Sequence, residues 1–212
     1  MRVSAGDLRD IARGGTDWRP RPVGQPITSP ASIRNKAIAI LHEEGHSAAL
    51  QYLDGQRPPG PGQRQSPTGL TGYYGPGGAR AGWGRRTRLA FDRYVGLDRD
   101  DGRSYAQVPL KVDTDIGPHT IGANIDVVMF DDLGYVGRVL NWDLAGITMP
   151  VAEVMAVPAA LAIERELGEG TCIAIQVWDL ENNQQYELDG TWLLGQVTAL
   201  RRLLDQVEAA QP

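Results

Sequence analysis

Apolar residues recur near the 3.6-residue period at Ile33, Ala37, Ile40, Leu41, Ala48 and Tyr52, which predicts a helix over about 30–53. Ser29 suits its N-cap, Pro30 its first position, and Asp54-Gly55 its stop. A short helix is expected at about 85–95. The period then changes. Segments 105–112, 125–130 and 135–142 are rich in β-branched and aromatic residues and are split by Asp/Gly turns, as strands are. Thr148 and Pro150 open a helix of about 149–167, with a bend expected near Pro158 and a stop at Gly168. Cys172–Leu180 and Gln184–Leu188 form a hairpin across Glu181-Asn182-Asn183. A last amphipathic helix of about 190–208 carries Leu193, Leu194, Val197, Leu200, Leu203, Leu204 and Val207. Helices and strands in separate runs give an α+β class with a mostly antiparallel sheet.

Two segments escape either period. Residues 1–29 read as an extended arm, because prolines at 20, 22 and 26 favour backbone without ladder hydrogen bonds. Residues 55–84 hold ten Gly and five Pro, and read as a long loop. The expected organisation is therefore an arm at 1–29 and a single α+β domain at 30–212.

Composition narrows the class. Of 212 residues, 42% are hydrophobic and 22% charged, as in a globular chain able to bury a core. No run of 18 apolar residues exists, so a membrane span is not expected. The first residues lack the apolar stretch of a secretory signal, which points to the cytoplasm. One Cys excludes an internal disulfide and any multi-Cys zinc module. The net charge of −5 is unevenly spread: residues 1–103 hold 16 basic and 10 acidic side chains, residues 104–212 hold 5 and 16. A basic first half suits an acidic partner, which includes the second half of another copy.

One motif carries chemistry. His42-Glu43-Glu44-Gly45-His46 matches H-E-x-x-H, and two of the three histidines are used in it. On a continuous helix, residues i and i+4 share a face, so His42 and His46 would reach one Zn²⁺. Glu43 would take a proton from the metal-bound water, whose pKa the metal lowers. A catalytic zinc needs a third protein ligand, and His119 is the remaining imidazole. The alternative is a solvated helix face whose histidines pair with Glu43 or Glu44.

The stretch Leu41-His42-Glu43-Glu44-Gly45-His46-Ser47-Ala48 resembles the HEAGHA helix of FtsH-type zincin metallopeptidases. That resemblance implies His42 and His46 as ligands, Glu43 as general base and a peptide as substrate. In that family the third ligand is an Asp after a TGAxND-like stretch. Here Gly122-Ala123-Asn124-Ile125-Asp126 is loosely similar, which nominates Asp126 beside His119. The similarity covers about eight residues, and a β-rich 105–188 departs from that family's helical domain.

Three functions follow as expectations. The first is a zinc-dependent hydrolase, most simply a peptidase. The second is a non-catalytic protein whose arm and Gly/Pro loop assemble it into a homo-oligomer or particle. The third is a nucleic-acid-associated protein, because residues 73–88 interleave Tyr73, Tyr74 and Trp83 with Arg80, Arg85, Arg86 and Arg88. No Gly-Lys-Ser/Thr loop and no G-x-S-x-G occur, so phosphate-loop and serine-hydrolase chemistry have no motif.

Overall fold

The computed structural model describes residues 1–18, 30–55, 78–107, 109–142 and 146–211. The chain forms two compact units. The first joins residues 1–22 to 103–212, and the second spans residues 23–102.

The first unit begins with strand β1 (Arg2–Val3) and helix α1 (Ala5–Gly14). The expected arm is thus partly regular structure. The reason is local. Ser4 accepts from the Asp7 N–H at 3.1 Å while the Asp7 carboxylate accepts from the Ser4 N–H, a reciprocal capping box. Leu8 and Ile11, three apart, then bury one side of the helix. Residues 19–29 of the arm, and 56–77 of the Gly/Pro loop, lie outside the described residues.

After the second unit come β2 (Ser104–Gln107), β3 (Leu110–Ile116), β4 (His119–Ile125), β5 (Val127–Asp131) and β6 (Gly134–Asn141). Helix α5 (Met149–Leu167), β7 (Cys172–Asp179), β8 (Gln184–Asp189), α6 (Gly190–Gly195) and α7 (Val197–Ala209) complete it. One sheet has the order β1-β4-β3 and the other β2-β5-β6-β7-β8. Both are mixed: β1 runs parallel to β4, and β6 parallel to β7, while the remaining pairs are antiparallel. The class is α+β. The parallel β6–β7 pair needs a crossover, and α5 supplies it.

Helix α5 is apolar on most sides, which suits a helix enclosed by its neighbours. Val151, Ala152, Ala156, Val157, Ala159, Ala160, Ala162 and Ile163 are buried. Gly137 on β6 lets the helix approach, since a Cβ there would lie 3.0 Å from Ile163 Cδ1 and 2.9 Å from Ile175 Cδ1. Pro158 sits inside the helix. Leu200, Leu204 and Val207 of α7 join the same core. The single C-terminal helix expected from the pattern is divided at Gln196 into α6 and α7.

The second unit contains α2 (Pro30–Glu44), α3 (His46–Gly55) and α4 (Gly78–Asp101). The continuous helix expected over 30–53 is broken at Gly45, whose φ is +93°. Its N–H donates to both Ile40 and Leu41 carbonyls at 3.1 Å, so the chain turns there without losing its bonding. Glycine adopts this φ at no steric cost. In a straight helix Gly45→Ala would stabilise by about 1 kcal/mol. Here the substitution is expected to destabilise by about 1–2 kcal/mol, because an L side chain resists positive φ. Urea unfolding of the two proteins reads the sign.

Candidate functional site

The break at Gly45 decides how the HExxH residues sit. His42 ends near the close of α2 and His46 opens α3, so the spacing argument for one shared helical face no longer applies. Both rings are met by α4. His42 Nε2 is 2.6 Å from the Tyr94 hydroxyl, and its ring stands edge-on to the Tyr94 ring at 5.8 Å. Asp98 Oδ1 lies 4.0 Å from the same nitrogen. His46 stacks on Phe91, with centroids 6.0 Å apart and planes 13° apart. Phe91, Tyr94 and Asp98 are spaced three and four apart, hence on one side of α4. Tyr94 and Phe91 are buried, whereas Glu43 and His46 are exposed.

His119 and Asp126 belong to the other unit. His119 is not in a loop: it opens β4, opposite Ile116, and is fully buried. Its Nε2 lies 2.7 Å from Asp205 Oδ1, and its Nδ1 lies 3.2 Å from the Met1 amine, which also bonds Glu208 at 3.1 Å. Both ring nitrogens are engaged, so metal ligation would require one to give up its partner. Asp126, between β4 and β5, is buried, with Oδ1 accepting from Asn124 Nδ2 at 2.9 Å and Oδ2 accepting from the Leu140 N–H at 2.7 Å. Among the described residues, no group of three His, Cys, Asp or Glu side chains is placed to hold a metal ion.

A second concentration of polar side chains lies where β6 and β7 end. Asn141 and Asp179, the last residues of those strands, face each other in the parallel register and are buried. Asp126 starts at the same edge, because β5 runs antiparallel to β6. Helix α1 brings Arg9, whose Nη1 donates to Asn141 Oδ1 at 3.2 Å, and Asp10, whose Oδ1 is 3.6 Å from Arg9 Nε. Asp179 holds the backbone nearby. It accepts from the Ile147 N–H at 2.8 Å and from Asn182 Nδ2 at 2.9 Å, fixing the loops after β6 and β7. In open sheets with parallel strands, ligands bind outside the carboxyl ends of the strands. Asp126 is visible in the sequence. Arg9 and Asn141 are not, because nothing local marks an arginine and an amide 132 residues apart as partners.

The thiol of Cys172 takes no part in either cluster. Burial, with Glu164 and Asp189 nearby, pushes it up to about 12, so it is a protonated packing residue at neutral pH.

Among the described residues, no helix is long and apolar enough to cross a membrane. No family model matches the chain, and no curated protein matches it.

Proposed function

We propose that the protein is a nucleic-acid-directed hydrolase whose site is the polar edge at the carboxyl ends of β6 and β7. The observation that carries this reading is the bond from Arg9 to Asn141, one residue past the Leu140 N–H that the buried carboxylate of Asp126 accepts from. Mg²⁺ is commonly bound through only one or two carboxylates, with waters and substrate phosphate oxygens completing its shell. Asp126 and the amide oxygen of Asn141 are hard oxygen donors of that kind, and each would exchange a present donor (Asn124 Nδ2 or the Leu140 N–H, and Arg9 Nη1) for the ion. Arg9 supplies the planar cation that suits a phosphate. A divalent ion held there would polarise the phosphodiester and activate a water. The arginine- and aromatic-rich sequence of residues 73–88 supplies the nonspecific attraction that a backbone-reading protein needs.

Labelled single- and double-stranded DNA and RNA, offered with and without Mg²⁺ or Mn²⁺, test this. Binding is expected to fall steeply with salt, and cleavage to require the divalent ion. Asp126→Asn is expected to lower cleavage at least about 100-fold while the far-ultraviolet dichroism is kept. Binding without cleavage would remove the hydrolase half of the reading. No binding at low salt would remove all of it.

The zinc peptidase is the reading of the HExxH motif, and the solvent exposure of Glu43 and His46 favours it. It requires about one zinc per chain by elemental analysis, and casein cleavage that Glu43→Gln abolishes with zinc retained.

A further inference from the structure

The turn between β5 and β6 carries the most exposed large apolar side chain among the described residues. Leu133 is 82% exposed, and Phe130 beside it is 43% exposed. Phe130 packs on Tyr135, with ring centroids 5.4 Å apart, so the tip is preorganised rather than loose. The Asp131 carboxylate accepts from the Leu133 N–H at 2.8 Å and fixes the turn. Gly134 sits against the strand that follows α5: a Cβ there would meet the Thr171 carbonyl at 2.5 Å. That contact brings the tip beside the start of β7, and Gly190 lies against Cys172 at the same end. Trp192, 43% exposed, therefore belongs to the same end of the sheet as Leu133. Exposed acids lie close in sequence to these apolar residues, namely Asp132 on the turn, Glu169 two residues before Thr171 and Asp189 before Trp192, while Arg103 pairs with Asp131 at 3.6 Å.

The sequence around Leu89 carries the opposite charge. Leu89 on α4 is 49% exposed. It follows Arg85, Arg86 and Arg88 in the same helix, and Arg93 lies one turn on. Arg88 meets the surface carboxylates Asp54 and Asp92, at 3.6 and 3.2 Å, in pairs that exchange readily. The charge of the whole follows the same division. The unit of residues 23–102 has 10 basic and 7 acidic side chains, and the remainder has 11 and 19.

We propose that the Leu133 tip is a self-association surface that receives the arginine-flanked Leu89 of a second copy. The contact is head-to-tail, since the two patches differ. Apolar side chains form its centre. Opposed charges at the rim set its orientation and its rate of formation.

Light scattering after size exclusion, over a concentration series at about 0.01 M and about 1 M salt, tests this, since the screening length falls from ~30 Å to ~3 Å between them. The mass is expected to rise with concentration and to fall back toward the monomer in high salt. Leu133→Asp and Leu89→Asp, both at exposed positions, are each expected to weaken association at least about tenfold with the melting temperature unchanged. Mixing the two variants is expected to restore a dimer, because each keeps one intact patch. A protein monomeric throughout overturns the proposal. So does an oligomer that Leu133→Asp leaves intact, or one that Leu133→Asp breaks and Leu89→Asp does not, the mark of a tip-to-tip contact. None of these outcomes depends on nucleic acid, so failure here is separate from failure of the proposed activity.

Discussion

Gly190→Ala is expected to be the most damaging single methyl addition at any described glycine. A Cβ at this position would overlap the Cys172 carbonyl oxygen and stand 2.8 Å from the carbonyl carbon. Both are backbone atoms of β7, which is hydrogen-bonded to β6 on one side and β8 on the other. They cannot rotate away as a side chain does. Relief requires moving α6 off the sheet, which uncovers Leu193 and breaks the cap from Asp189 to the Trp192 N–H at 2.7 Å. The expected loss is about 4 kcal/mol, above the usual ~1–3 kcal/mol for an added methyl in a core, because the atoms it meets are fixed backbone. For a chain of this size that is a fall of about 10 °C or more in melting temperature. Cys172 gives a second readout. In the native protein its thiol, pushed up to about 12, is expected to resist iodoacetamide at neutral pH, and in the variant to react as the strand is exposed. A variant that melts within about 2 °C of the parent would show that β7 and α6 do not make this contact.

Arg138→Ala comes next in size. Arg138 is fully buried in β6, and its guanidinium lies 4.2 Å from the centroid of the Trp178 ring. Its Nε donates to Gln176 Oε1 at 2.8 Å, and Gln176 Nε2 donates onward to Glu187 Oε2 at 2.8 Å. Arg103 closes the chain with two bonds to Glu187, at 3.1 and 3.2 Å. Truncation leaves a cavity and removes the Arg138 Nε bond to Gln176 Oε1, so about 3–5 kcal/mol is expected to be lost. The same network sets a pH dependence. Burial alone would raise the Glu187 carboxyl, but the bonds from Arg103 and Gln176 and the charges of Arg103 and Arg138 outweigh it and hold the group below its ordinary value. A carboxylate depressed in the folded state adds stability above its unfolded pKa, and that stability is lost as the pH falls through the folded value. Removing Arg138 takes away one of the lowering charges, so acid unfolding of the variant is expected to begin at a higher pH. Chemical denaturation repeated down an acid series measures both effects.

How much of this is legible in the sequence depends on how local each signal is. Helix α5 and the β7–β8 hairpin lie within a residue or so of where apolar periodicity and turn residues put them. Strand β4 escapes the pattern, because Gly117-Pro118 reads as a loop and the alternation restarts only at His119, a residue whose burial depends on Asp205 and the Met1 amine. Helix α1 is hidden by the prolines that follow it, although Ser4-x-x-Asp7 is in view. The histidine motif is legible as residues but not as geometry. Its spacing carries meaning only on an unbroken helix, and the positive φ at Gly45 withdraws that condition. The partners of His42 and His46, Tyr94 and Phe91, lie about fifty residues away on α4, beyond the reach of any spacing rule.

The first unit is assembled from two separated stretches of chain, with residues 23–102 inserted between them. Strand β1 leaves the ribosome before the inserted helices, yet the strand it pairs with, β4, lies more than a hundred residues downstream. At about 5–20 residues per second, that partner emerges several seconds later. The inserted helices have their whole sequence available first and are free to fold in the interval. Until β4 arrives, Val3, Leu8 and Ile11 have no core to enter, and they form a ready target for holdase chaperones on the nascent polypeptide.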